Sequence, residues 1–139
     1  KVNFDLVQVP YNIFDRRFER FFKSLRMMDV EIHVRSVFLQ GLFFINLENI
    51  PSYFDSIKNK LIELNQISKK TGISISHLCL CFVMQNEFIN KVVIGVDSEK
   101  NLLENIHYNK KINEFRKISK RLNLFEVKDE SILLPFNWK

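Results

Sequence analysis

Short apolar runs rich in β-branched residues alternate along this chain with stretches of helical period, and the alternation repeats three times. Phe4 to Val9 reads as a buried strand that stops at Pro10, because proline has no N–H to give a central ladder. Phe14, Phe18, Phe21 and Leu25 then recur at helical spacing. They predict one apolar helix face, with Asp15, Arg16, Arg17 and Lys23 mostly on the other side. Val30 to Val34 reads as the second strand, and Gly41 punctuates the loop that follows.

Leu42 to Pro51 is a longer connection, after which the helical period returns from about Tyr53 with Phe54, Ile57, Leu61 and Leu64 on one face. Gly72 is placed to cap the C-terminus of that helix, and Ser74 to cap the start of the next, which runs to about Gln85. Leu78, Leu80, Phe82, Val83 and Met84 make this helix apolar nearly all round, so burial on several sides is expected. Val92 to Val96 predicts the third strand. Asp97 or Ser98 then caps a helix carrying Leu102, Leu103 and Ile106. A last helix, about Ile112 to Leu122, leads to a tail whose Trp138 is expected to pack against the body. No internal repeat, low-complexity tract or linker interrupts the chain.

Three strands and about five helices, each strand followed by a helix, define an α/β fold with right-handed crossovers between parallel strands. A length of 139 residues with 46% hydrophobic content supports a single domain over residues 1–139. It is too short for a whole (β/α)₈ barrel, which takes roughly 250 residues. Three parallel strands leave two sheet edges in need of partners. The chain has no initiator methionine and begins almost directly in a strand, so it is expected to be cut from something longer.

Charge and cysteine usage narrow the function classes. The net charge of +5 comes from scattered lysines and arginines, which read as solvated helix faces. No nucleic-acid reader module or set of stacking aromatics accompanies them, so no nucleic-acid partner is expected, and an anionic small molecule suits the charge equally well. Cys79 and Cys81 lie in an apolar run at a spacing that sends them to different sides of a helix, so they read as buried, inert thiols. Such thiols suit a reducing compartment, and a cytoplasmic location is expected. No apolar stretch reaches the roughly 18 residues of a membrane span, and no membrane partner is expected. His33 and His77 are expected to satisfy local hydrogen bonds, and His107 to lie at the surface. None has a carboxylate or cysteine partner at a metal or nucleophile spacing, so no metal site is expected.

Chemistry in a chain of β/α units collects where strands pass into loops. Three such points stand out: "DLVQVPYN" from Asp5 to Asn12, "VRSVFLQGLF" from Val34 to Phe43, and "KVVIGVDSEKNLLENI" from Lys91 to Ile106. In this order and spacing they resemble the C-terminal half of an aldo-keto reductase, a carbonyl reductase that uses NAD(P)H and folds as a (β/α)₈ barrel. The resemblance implies that the three strands are the sixth, seventh and eighth of that barrel. It implies that Gln8 contacts the nicotinamide carboxamide and that Ser36 holds the pyrophosphate beside Phe38. Gly95, Val96 and Asp97 would cradle the adenosine phosphate, and Asn101 and Asn105 would grip the 2′-phosphate and the adenine. An anion there also suits the free N–H groups of a helix N-terminus, with Gly95 allowing close approach and Lys100 adding a cation. NADP(H) is the implied cofactor, with NAD(H) as the alternative, and a small carbonyl compound is the implied substrate.

Two positions depart from the family pattern. Arg35 stands where an aromatic ring commonly stacks on the nicotinamide, and Asn101 where arginine or glutamine commonly reaches the 2′-phosphate. A larger departure is that no part of the chain corresponds to the half carrying the family's aspartate, tyrosine, lysine and histidine tetrad. The expectation is therefore part of an oxidoreductase that contributes cofactor-binding loops, has no catalytic residues of its own and is inactive alone. The alternative is a natural half-length, non-catalytic protein that self-associates through its open sheet edges or pairs with another half-barrel.

Overall fold

In the computed structural model, which describes residues 3–138, three parallel strands form one sheet in chain order: β1 (Leu6–Pro10), β2 (Glu31–Arg35) and β3 (Lys91–Val92). Leu6 faces Glu31 and Pro10 faces Arg35 across the first pair; His33 faces Lys91 and Val34 faces Val92 across the second. Pro10 is tolerated because β1 lies at the sheet edge. The next ladder bond is donated by the Tyr11 N–H to the Arg35 carbonyl at 3.1 Å, so the ladder passes over the proline nitrogen. Edge placement also leaves Phe4 and Leu6 exposed, where a strand covered on both sides was expected.

The helices are α1 (Glu19–Met27), α2 (Lys58–Thr71), α3 (Ile75–Met84), α4 (Glu99–Ile106), α5 (Ile112–Leu122) and the single turn α6 (Glu130–Leu133). Two expectations are corrected. The first helix starts later than its phenylalanine spacing suggested, and its buried face is Phe18, Phe22 and Leu25, while Phe21 is 44% exposed under Arg20. The Asn12 side chain causes the shift. Its Oδ1 accepts the N–H groups of Phe14 and Asp15, both at 2.9 Å, and holds Phe14 in a buried turn outside the helix. The third strand is only two residues long. β2 ends at Arg35 and Ser36 turns the backbone into the left-handed region (φ 58°), so beyond Val93 there is nothing left to pair with.

Other local expectations hold. Gly72 ends α2 with φ +66°, donating to the Ser68 carbonyl at 2.8 Å, and its own carbonyl accepts from Lys111 Nζ at 2.7 Å. Ser74 caps α3, and Ser98 rather than Asp97 caps α4. α3 is buried from Leu78 to Val83 and forms the core with Ile32, Val34, Leu61, Leu64, Phe22 and Phe115. His33 binds the Glu31 carboxylate at 2.8 Å and His77 the Glu104 carbonyl at 2.8 Å, while His107 is exposed. Trp138 packs edge-on against Phe54 and donates to the Ile132 carbonyl at 3.0 Å, which fastens the tail to the body. No helix among the described residues is long and apolar enough to cross a membrane.

Burial pushes the Cys81 thiol from 9.0 up to about 11, and pushes Cys79 up as well. Below about pH 8 both thiols stay protonated whether the chain is folded or not and add almost no pH slope. As pH rises from about 9 towards 11, only the unfolded chain ionises them, so stability falls. The urea midpoint is expected to drop between about pH 8 and pH 10.5, and to drop less in Cys81→Ala; an equal drop in both proteins would refute this assignment.

Candidate functional site

A cleft of about 1110 Å³ opens where β2 and β3 pass into their loops, with α4 forming one wall. The loop after β2 supplies Arg35, Ser36, Phe38, Gln40, Gly41 and Phe44; the segment after β3 supplies Val93 to Asp97; α4 supplies Asn101, Glu104 and Asn105. Ser74 and Ser76 reach it from the start of α3.

The β2 loop is held in an uncommon backbone shape. Ser36, Leu39, Gln40 and Gly41 all have φ between 44° and 84°, a region that costs a residue with a side chain about 1–2 kcal/mol. Conformations of this kind persist when surrounding contacts over-determine them, and they gather at functional sites. Here Asn12 supplies the contact: its Nδ2 donates to the Ser36 carbonyl at 2.9 Å while its Oδ1 holds Phe14 and Asp15. One fully buried amide thus ties the loop after β1 to the loop after β2. Asp15, 0% exposed, is bound in turn by Arg17 through Nε at 3.0 Å and Nη2 at 2.9 Å. Arg17 also reaches Glu130 at 3.0 Å, so the same network grips the tail.

At the other wall, none of the backbone N–H groups of residues 94–98 donates to another described residue. This leaves a row of free donors leading into the N-terminus of α4, where the helix dipole favours negative charge. Gly95 lies in that row, and a β-carbon added to it would meet nothing within 4 Å. Its φ is ordinary, so the backbone itself does not demand glycine here, and open space is what its small size provides. Asn101 donates through Nδ2 to the Asp97 carboxylate. Glu104 accepts from Ser76 Oγ at 3.0 Å. Asn105 is 8% exposed, and its side-chain amide, which makes no hydrogen bond with any described residue, keeps access to the cleft's solvent. Phe38 and Phe44, with ring centroids 5.5 Å apart, give the cleft an apolar wall.

Seven of the eight residues singled out in the sequence meet in this cleft: Ser36, Phe38, Gly95, Val96, Asp97, Asn101 and Asn105. Gln8 stands apart, exposed on β1 opposite His33 and outside the lining. Sequence reasoning missed Phe44, Ser76 and Glu104 as lining residues. Glu104 had a readable signal, since Asp97, Asn101 and Glu104 recur at the spacing of one helix face. Asn12 and Asp15 were missed as the supports of the β2 loop, and nothing in their local pattern announces a bond made 24 residues away. No group of three or more metal-binding side chains occurs among the described residues.

The model of the aldo/keto reductase family matches residues 1–121. The chain belongs to the aldo/keto reductase family. No curated protein matches it. Two solved structures of the aldo-keto reductase AKR11C1 from Bacillus halodurans superpose on it, the apo form with a TM-score of 0.66 and the holo form with 0.67, each at 19% identity. Each superposition covers 92% of this chain and 46% of the other, so the chain spans about half the length of these reductases. The three parallel strands and their helices are an α/β fold that matches part of an aldo-keto reductase barrel. Residues 122–139, which include the tail, lie beyond the segment that the family model matches.

Proposed function

We propose that this chain forms the cofactor-binding part of a nicotinamide-dependent oxidoreductase that reduces a small carbonyl compound, and that it is inactive alone. The observation that carries the reading is the convergence of Ser36, Phe38, Gly95, Val96, Asp97, Asn101 and Asn105 on one cleft beside a row of unpaired N–H donors. That donor set fits a dinucleotide. Free N–H groups and the Ser36 hydroxyl suit phosphate oxygens, and the Arg35 guanidinium, 3.0 Å from Ser36 Oγ, adds a cation on the same side. The unpartnered Asn105 amide suits a base edge, and Phe38 and Phe44 shield an apolar flank.

When bound, the dinucleotide supplies the hydride. The chain's own residues bind and orient it: the Asn12 amide fixes the Ser36 backbone, and the capped start of α4 fixes the donor row. Nothing in the chain is assigned to protonate the carbonyl oxygen. Catalysis therefore requires residues that the family carries in its other half. The buried thiols are consistent with a reducing, cytoplasmic setting.

The test is a fluorescence titration of the chain with NADH and NADPH, followed by a coupled assay with a small aldehyde. Nucleotide binding without aldehyde-dependent cofactor oxidation is expected. Turnover by the chain alone would overturn the inactivity, and absence of any nucleotide binding would overturn the site. The exposed Phe4 just before β1 and Leu6 at its start, on the sheet edge, favour a second reading, self-association through the open edges. A solution mass at a multiple of 16.7 kDa would support it.

A further inference from the structure

We propose that the cleft selects NAD(H) over NADP(H), and that Asp97 makes the selection. The proposal rests on reading the cleft as a dinucleotide site. Among the described residues, three ionisable side chains line it, Arg35, Asp97 and Glu104, and no lysine does. Their distribution is uneven. Arg35 ends β2, next to Ser36, whereas both carboxylates sit on the opposite wall, at and along the start of α4.

A dinucleotide carries its shared negative charge at the pyrophosphate. The two cofactors differ only at the adenosine ribose, where NADP(H) bears a phosphate of charge about −1.5 to −2 and NAD(H) a neutral hydroxyl. The cation of this cleft lies on the Ser36 wall and the carboxylates on the α4 wall. That arrangement matches a ligand charged in the middle and neutral at its adenosine end.

Local bonding sharpens the argument. Asn101, the residue the resemblance would assign to the 2′-phosphate, already donates its amide to Asp97. An ionised carboxylate only accepts, with about four lone-pair sites, so Asp97 keeps capacity for ribose hydroxyl donors and offers nothing to a phosphate. Asp97, just before the α4 cap, and Glu99, in its first turn, set side-chain charge against a second phosphate on the ribose, while the free N–H groups of residues 94–98 stay open to the pyrophosphate that both cofactors share. Lys100 does not line the cleft.

The experiment is a titration of the full-length gene product with NADH and NADPH by nucleotide fluorescence, at about 50 mM and 500 mM salt, for the native protein and for Asp97→Asn and Asp97→Arg. NADH is expected to bind at least about tenfold more tightly at low salt, with the gap narrowing at high salt as repulsion is screened. Asp97→Asn is expected to close most of the gap, and Asp97→Arg to reverse it. Because Ser98 caps α4, both variants keep the helix start. Equal affinities, or tighter NADPH binding by the native protein, would overturn the selection and leave the dinucleotide reading standing. Binding of neither nucleotide would overturn both.

Discussion

Arg17→Ala is expected to destabilise the protein by about 3 kcal/mol at neutral pH, the cost of stranding a buried carboxylate. Asp15 has no exposed surface, and Arg17 supplies both of its short side-chain partners, at 2.9 and 3.0 Å. What remains in the variant is one longer contact from the backbone N–H of residue 17, at 3.3 Å in the native chain. Those bonds to Asp15 hold the guanidinium above its ordinary range, so Arg17 stays charged at every pH of interest. Arg17→Lys, which keeps a charge and loses the fork, should cost less, about 1 kcal/mol. Urea unfolding of the three proteins decides it. Equal losses in the alanine and lysine variants would mean that the forked bond to Asp15 is not what Arg17 contributes.

Asn12→Ala is the other large effect, about 2–4 kcal/mol, because two buried N–H groups lose their acceptor at once. Phe14 and Asp15 donate to the Asn12 carbonyl oxygen, and both residues are fully buried. The Ser36 carbonyl fares better, since the Leu39 N–H still donates to it at 3.0 Å. The consequence reaches the cleft all the same. Without the Asn12 amide, the left-handed residues Ser36, Leu39 and Gln40 lose a bond that holds them, and nucleotide affinity should fall along with stability. Hydrogen exchange at the amides of residues 14 and 15 would rise together. Exchange unchanged at those two amides would show that Asn12 holds neither.

Much of this architecture is legible in the amino-acid sequence. The strands, the Gly72 and Ser74 caps and the buried run of α3 follow from local rules, and local rules survive because each is satisfied within a few residues. Seven cleft residues are legible through resemblance in two strand-to-loop segments, Ser36 and Phe38 in one and Gly95, Val96, Asp97, Asn101 and Asn105 in the other. Phase and length are less legible. The spacing of the phenylalanines misphases the first helix because Phe14 falls at a helical interval by coincidence, while an Asn side chain withdraws it into a turn. The third strand is shorter than its sequence suggests because its extent is set by its neighbour, β2, which turns away at Ser36. Gln8 rests on resemblance alone, since it lies on β1 opposite His33 and outside the cleft lining. The supporting pair of Asn12 and Asp15 was invisible because its meaning lies in partners distant along the chain.

The network around Asp15 also joins near to far. Sheet order follows chain order, β1 beside β2 and β2 beside β3, so each strand pairing joins consecutive units. Arg17, however, bonds to Glu130 across 113 residues, and the Val127 N–H donates to the Phe14 carbonyl. The segment after β1 is therefore closed by a distant stretch of chain as well as by the sheet. The same segment, through Asn12, bonds the loop at Ser36. The cleft is thus braced by residues 127–130, none of which lines it.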